Sequence, residues 1–264
     1  MANKIVNHPV YLFLAVVGSV FFLQKAVPQP DATSLSEQYR SAIKDAAIVD
    51  PRENVDNLLQ ISPDNPLLQP YWNEDKTKIL VVTWKSQQSY EKYLKTANNT
   101  SQDQSRLIWV TVSPQVKEFC KQYLKDNPNA TAADLKLRLQ QYLGLDPNWN
   151  YDVFVEMWVD PRDLFRPCVD PEVTDKQCNL DFQKDAKPKV IGATQGAAIE
   201  NYQPFYENLY YRSIRSGMQP FTGLGYTYDW GNPKSRVGAS EFILVPGAAY
   251  KVKEAVPTLN YCKP

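Results

Sequence analysis

Histidine is almost absent from this chain: its 264 residues include a single one, His8, which lies in an apolar N-terminal stretch. Ser-His-Asp and Cys-His catalysis both need an imidazole as general base. Many zinc and iron sites also use histidine as a ligand. Because no histidine follows His8, we exclude these two kinds of catalysis and all His-containing metal sites for the rest of the chain.

The sequence also lacks an excess of either charge and the common glycine-rich phosphate motifs. Lysine and arginine together number 29, as do aspartate and glutamate, and no block of five like charges occurs. The patterns GxxxxGK[ST], GxGxxG and GxSxG are missing as well. Since nucleic-acid-binding surfaces are strongly basic, we predict no nucleic-acid partner. The sequence indicates no cofactor.

Apolar residues, by contrast, are concentrated near the start of the chain. Residues 10–23 are uncharged and mostly apolar, Lys4 and Lys25 flank them, and no acidic residue precedes Asp31. This pattern is typical of a membrane-targeting segment. We predict that residues 1–27 are a cleaved signal peptide or an uncleaved signal-anchor helix, and we favour the anchor because no A-x-A-like cleavage site follows. Residues 28–33 are then a linker, and residues 34–264 a single domain in the periplasm or another extracytoplasmic space.

The four cysteines suit an exported domain, because disulfides form in oxidising compartments. Cys168 and Cys178 flank a polar segment that contains a proline, which predicts a short stapled loop. Cys120 and Cys262 then remain to pair across most of the domain. The alternative is that Cys120 is a buried free thiol, since it lies on the apolar face of a predicted helix. Zinc is disfavoured because no CxxC pair is present.

Hydrophobic patterning predicts both helices and strands after the linker. Apolar runs at residues 78–84 and 106–112 and an alternating run at 151–159 indicate strands, and three more strands are predicted after residue 224. Helices are predicted from Ser34, Ser113, Thr131 and Phe205; the Ser34 and Thr131 starts each have an acidic residue three positions later. We therefore predict a single α+β domain with a mixed or antiparallel sheet and packed helices.

Aromatic residues are dense between residues 210 and 230. Tyr226, Tyr228 and Trp230 alternate along a predicted strand and can supply a stacking surface for a ligand, while Arg215 can hold an anionic group. The same alternation is typical of a half-buried β-hairpin with a structural role. Both interpretations stay open at this point.

Asp229, Glu241 and Arg212 are the candidate catalytic residues. The two carboxylates lie twelve residues apart across a predicted turn, and paired carboxylates are the groups that hydrolyse glycosidic bonds. Arg212 can hold an anionic group beside them. The structural alternative, which we favour, is that Glu241 only accepts a hydrogen bond from an arginine.

Five acidic residues between positions 160 and 175 also suggest calcium, which prefers oxygen ligands. The D-x-[DN]-x-[DN]-G spacing is missing, however, and basic residues are interspersed among the acids. We favour a stapled surface loop here and predict no metal.

Four stretches, ILVVTW, EMWVDPRDLFRPCVDPEVTDKQC, LGYTYDWGN and GASEFIL, resemble uncharacterised secreted or membrane-anchored proteins of cyanobacteria over most of the chain from Ser34 onward. This resemblance implies an exported location and brings no activity. The stretch GASEFILVPGAAYKV is also similar to the glutamate-bearing strand of ADP-ribosyltransferases, with Glu241 and Arg212 or Arg215 as the matching positions. The E-x-E pair of that family is incomplete, because positions 239 and 243 are alanine and isoleucine.

Taken together, these features predict a membrane-anchored extracytoplasmic domain that binds a protein or envelope component through its aromatic C-terminal segment. The alternative from another class is an extracytoplasmic hydrolase or transferase that uses carboxylates and acts on glycan. A third hypothesis is a structural subunit of a membrane complex.

Overall fold

The computed structural model of the protein describes residues 32–216 and 219–263. The predicted anchor at residues 1–27 and the first four linker residues lie outside this part of the chain. The described helices are α1 (Ala32–Ala46), α2 (Gln87–Tyr93), α3 (Ser113–Asp126), α4 (Ala132–Tyr142), α5 (Tyr202–Arg215) and α6 (Thr258–Tyr261). The described strands are β1 (Ile79–Lys85), β2 (Ile108–Val112), β3 (Val153–Val159), β4 (Leu164–Phe165), β5 (Val190–Ile191), β6 (Ala198–Ile199), β7 (Tyr226–Tyr228), β8 (Val237–Ser240), β9 (Phe242–Leu244) and β10 (Tyr250–Pro257).

Six of these strands form one sheet in the order β10-β3-β1-β2-β9-β4, and every neighbouring pair is antiparallel. β1 and β3 pair along seven positions, from Ile79 with Val159 to Lys85 with Val153. Both strands are buried along almost their whole length, which agrees with their continuous apolar sequences. The predicted α+β class is confirmed, and the sheet is of the antiparallel kind.

One face of the central strands is covered by α3, α4 and α6. Val82 is the register partner of both Thr111 and Glu156, so the three side chains share this face. Glu156 is buried among apolar residues, and its carboxylate accepts hydrogen bonds from Ser113 Oγ at 3.2 Å and Lys253 Nζ at 2.8 Å. These bonds explain how a charged residue is accommodated in a central strand.

The other face of the same strands belongs to the largest apolar cluster. It includes Val81, Val155 and Met157, which alternate with the first set along β1 and β3. α5 joins this cluster, and the ring of Phe205 meets the edge of the Phe165 ring on β4 at 5.7 Å. The predicted start of this helix at Phe205 is three residues late, because Tyr202 already lies in its first turn and is fully buried.

Both predicted disulfides are present. Cys120 and Cys262 join α3 to the C-terminal end of α6 with a Cα separation of 5.3 Å, so the free-thiol alternative for Cys120 is wrong. Cys168 and Cys178 close a segment that we call the short disulfide loop, residues 168–178, with a Cα separation of 6.1 Å. Two disulfides indicate an oxidising, extracytoplasmic compartment.

β7 and β8 form a separate two-stranded hairpin in the segment 226–240. Tyr226 packs against the short disulfide loop, and Trp230 packs against α1, where its ring meets the edge of Tyr39 at 5.8 Å. The hairpin therefore joins α1 and the disulfide loop to the main sheet.

β10 is the edge strand on the β3 side of the sheet. Its pairing with β3 is interrupted by a register shift between Val252 and Glu254. Lys251, Lys253 and Glu254 are exposed on this strand, and Pro257 ends it.

Candidate functional site

A cleft of about 670 Å³ lies over β1 and β2, beside the ends of α4 and β7. The segment 148–152, between α4 and β3, forms part of its wall, and Gln219 and Phe221 form another part. Asn148 and Asn150 are exposed, so the cleft is reached from solvent at this side. A cleft of this volume is typical of sites for small organic ligands.

Several aromatic rings line the cleft. Trp84 is central: its ring stacks on Tyr151 with centroids 4.8 Å apart and on Phe154 at 5.2 Å, and its Nε1 donates to Thr258 Oγ1. Trp149 contacts Tyr151 at 6.4 Å and is 41% exposed. The rings that line the cleft include Trp84, Trp109, Trp149, Tyr151, Phe221 and Tyr228.

Glu241 is the candidate catalytic residue that the structure places in this cleft. It lies between β8 and β9, is only 8% exposed, and its backbone N–H donates to Gly225 O at 3.0 Å. Among the described residues, its carboxyl has no hydrogen-bonding or ion-pair partner. Burial raises the pKa of Glu241 to about 8. The prediction that an arginine donates to this carboxyl is therefore wrong for the described residues. With this pKa, the carboxyl is mostly protonated at neutral pH.

Two further charged residues line the cleft. Asp152 is fixed, since its carboxylate accepts from the N–H of Gln87 at 3.1 Å and from Asn150 Nδ2 at 3.0 Å. Lys85, at the end of β1, is partly buried, and burial lowers the pKa of its ammonium group. The cleft thus holds a neutral carboxyl, a carboxylate and an amine among its aromatic rings.

Asp229, the other half of the proposed carboxylate pair, has a different role. Its side chain is 2% exposed and accepts two hydrogen bonds from Arg138 on α4, Nη1 to Oδ1 at 2.8 Å and Nη2 to Oδ2 at 2.6 Å. It also caps the following turn by accepting from the N–H of Gly231. Asp229 is not among the residues that line the cleft. Asp229 and Arg138 thus form a structural ion pair, and Asp229 does not join Glu241 in the lining of the cleft.

The three aromatic residues expected to form a binding surface are all buried, with exposures of 2 to 5% for Tyr226, Tyr228 and Trp230. Tyr226 donates to Glu53 O, Tyr228 donates to Asp45, and Trp230 Nε1 donates to a backbone carbonyl at 3.3 Å. These rings hold the hairpin in place, and of the three only Tyr228 lines the cleft. The structural interpretation of the alternating aromatics is the one that fits.

The two candidate arginines lie on α5, and none of their described contacts is with Glu241. Arg212 donates from Nη2 to Gln104 O at 3.0 Å, and the exposed Arg215 lies over the ring of Tyr211 at 5.5 Å. The arginine–glutamate pair implied by the resemblance to ADP-ribosyltransferases is therefore not assembled in the described part of the chain.

The acidic segment folds around a buried arginine. The carboxylate oxygens of Asp170, Glu172 and Asp175 lie within 4.8 Å of one another. Burial, opposed by Arg166 with its Nε 3.6 Å from Asp175 Oδ1 and assisted by the neighbouring carboxylates, raises the pKa of Asp175 to about 6. The fully buried Arg166 also lies over the ring of Phe242 at 4.9 Å. The guanidinium of Arg166 offsets part of the negative charge of these carboxylates.

Sequence reasoning missed most of the cleft. The sequence analysis places Trp84 in the strand at 78–84 and Tyr151 in the strand at 151–159, and it assigns no role to Lys85 or Trp149. The signal that was available is the segment PNWNYD at 147–152, in which aromatic and amide residues alternate without apolar aliphatics. Proline, asparagine and aspartate are ordinary turn residues, and the two aromatic residues among them, of a kind enriched in binding interfaces, are the feature that could have drawn attention.

Comparisons of the chain with protein-family models, curated proteins and solved structures gave no match. The resemblance to cyanobacterial exported proteins therefore stays a prediction. None of the described helices has both the length and the apolar character needed to cross a bilayer.

Proposed function

We propose that this protein is an extracytoplasmic binding domain, anchored to a membrane by residues 1–27, whose aromatic cleft binds a glycan of the cell envelope. The observation that carries the proposal is the cleft of about 670 Å³ with tryptophan and tyrosine rings along its wall. The two disulfides support an exported location.

The chemistry of the lining suits a sugar better than an apolar ligand or a nucleotide. Sugar rings have apolar faces that pack on aromatic side chains, while their hydroxyl groups need polar partners. The cleft supplies both, because Ser86, Gln88, Asn148 and Gln219 lie among its rings. Glu241 adds a group of unusual character: at neutral pH its protonated carboxyl can donate a hydrogen bond to a ligand oxygen.

Trp149 is the best residue with which to test binding. It lies at the exposed side of the cleft and its ring is 41% exposed, so removing it leaves no cavity in the core. Trp149→Ala should weaken glycan binding by about tenfold, which is the effect of losing one stacked ring. The matched control is Tyr211→Ala, since this ring is 58% exposed and does not line the cleft.

The measurement is calorimetric titration of the full chain in mild detergent with chitotetraose, maltotetraose and tetragalacturonate. Binding of at least one glycan, weakened by Trp149→Ala and unchanged by Tyr211→Ala, supports the proposal. If none of the three glycans binds, or if both variants behave as the original chain does, glycan binding in this cleft is refuted.

A second candidate function, glycan hydrolysis, is favoured by the state of Glu241. A general acid must be protonated at the working pH, and a carboxyl with a pKa of about 8 meets this requirement. Asp152 takes the place of Asp229 as the second carboxylate, because it lines the same cleft. Release of reducing ends from a bound glycan, abolished by Glu241→Gln while affinity is kept, would support hydrolysis. A bound glycan that the original chain leaves intact refutes hydrolysis and leaves the binding proposal standing.

A further inference from the structure

A second cavity lies beside the aromatic cleft. It has a volume of about 460 Å³, and Lys85 and Ser89 line both spaces, so the two are adjacent at these residues. A ligand that fills the cleft can therefore extend past Lys85 into the second cavity.

The charged residues that line the second cavity are all positive. Its charged residues within the described chain are Lys85 and Arg106, and no carboxylate lines it. Arg106 makes a single loose ion pair, with its Nε 3.5 Å from Asp103 Oδ2, and its side chain is 73% exposed. The guanidinium is thus free to turn toward a ligand without breaking a buried interaction.

Lys85 is the more informative of the two cations. Its ammonium group has no hydrogen bond or ion pair with any described residue, and burial lowers its pKa. Lys253, by comparison, contacts both Glu156 and Glu254. Asp152 donates its backbone N–H to Lys85 O at 2.9 Å, but its carboxylate is already engaged by Gln87 and Asn150. A partly desolvated ammonium group without a partner is unfavourable, and an anion beside it would remove this penalty.

A hydroxyl group adds a hydrogen-bond donor to the same cavity. Ser101 lines it, and its Oγ accepts from the N–H of Asp103 at 3.1 Å, which leaves the hydroxyl hydrogen available for another acceptor. An ammonium, a guanidinium and a hydroxyl are the donors that bind phosphate and carboxylate groups in proteins.

We infer that the ligand is an acidic saccharide: its rings occupy the aromatic cleft, and a carboxylate or phosphate substituent binds Lys85 and Arg106 in the second cavity. This inference rests on the proposed function, because it names the class of glycan that the cleft binds. The carboxylate of a uronic acid and the phosphate of a sugar phosphate share the required chemistry, and the test separates them.

The test uses two ligand pairs, each of which compares an acidic saccharide with its uncharged counterpart. The first pair is tetragalacturonate and its methyl ester, and the second is maltotetraose with and without a 6-phosphate. Calorimetric titrations are made on the full chain in mild detergent, on Lys85→Met and on Arg106→Gln. Lys251→Met is the control, because this lysine is exposed on β10 and lines neither cavity.

The acidic member of at least one pair should bind about tenfold or more tightly than its neutral partner. Lys85→Met should reduce the ratio of the two affinities within a pair to about one, and its circular dichroism spectrum, compared with that of the original chain, shows whether the variant is folded. Arg106→Gln should remove part of it, and Lys251→Met none. A preference in one pair alone identifies the substituent as carboxylate or phosphate.

Equal affinities within both pairs, or a preference that survives Lys85→Met, would overturn the inference and leave glycan binding intact. If no member of either pair binds and the Trp149→Ala test also fails, the proposed function itself is refuted, and the inference falls with it.

Discussion

Replacement of Glu241 by glutamine should stabilise the protein in a way that depends on pH. The carboxyl is 8% exposed and has no described partner, so it is more stable in its protonated form, with a pKa of about 8 instead of its ordinary 4.5. Below pH 4.5 the folded and unfolded chains both keep the proton, and the burial has no effect on stability. Between pH 4.5 and 8 the unfolded chain releases this proton while the folded chain retains it. Stability therefore falls as the pH rises.

The size of this effect follows from the two pKa values. A change from 4.5 to about 8 corresponds to about 5 kcal/mol above pH 8 and to about 3 kcal/mol at pH 7. These values are upper limits, because water in the cleft solvates part of the carboxyl. Glutamine has nearly the same shape and no charge at any pH. We expect Glu241→Gln to raise the free energy of unfolding by about 2 kcal/mol at pH 8 and to leave it unchanged at pH 4.5.

The assay is thermal unfolding, followed by circular dichroism from pH 4.5 to 9 with the disulfides oxidised. For a domain of this size, about 2 kcal/mol corresponds to an increase in Tm of about 4 to 8 °C. The control is Glu200→Gln, because this glutamate is exposed. If Glu241→Gln changes Tm by the same amount at every pH, or destabilises the protein most at high pH, the carboxyl is ionised in the folded state and the reasoning is wrong.

Two further predictions concern a buried ion pair and the two disulfides. Arg138→Ala removes the ion-pair partner of the buried Asp229 carboxylate and should lower the free energy of unfolding, measured by urea titration, by about 3 to 5 kcal/mol. Adding Asp229→Asn should recover part of this loss. An Arg138→Ala variant as stable as the original chain would contradict the prediction. Replacing both Cys120 and Cys262 by alanine should lower the free energy of unfolding by about 5 kcal/mol. Replacing Cys168 and Cys178 in the same way should lower it by about 3 kcal/mol, because the paired cysteines are 142 positions apart in the first disulfide and 10 in the second. Equal losses for the two disulfides would contradict the chain-entropy argument.

Much of the fold could be predicted because its signals are local. The apolar β-branched sequence of β1 permits little except a buried strand, and the predicted range 78–84 differs from Ile79–Lys85 by one residue at each end. α4 has the capping box expected from Thr131 and Asp134, with both reciprocal hydrogen bonds present. α1, by contrast, starts at Ala32, two residues before its predicted cap at Ser34.

The site could not be predicted in the same way, because it depends on long-range contacts. Trp84, Trp149 and Glu241 come together only through the sheet order and the loop that precedes β3. The partner of Asp229 is Arg138, 91 positions away on α4, and no spacing rule connects them. Proximity in sequence suggested Glu241 instead. The cysteines were an exception, since two disulfides among four residues allow only three pairings.

The outer edge of β10 bears on how this protein behaves at high concentration. Within the described residues the main sheet ends at this strand, so one side of its backbone offers N–H and C=O groups to another chain. The register shift between Val252 and Glu254 distorts that edge, Lys251 places an exposed charge on it, and Pro257 lacks an N–H. Strand addition between two copies is thereby disfavoured, and the protein should resist fibril formation even at high concentration.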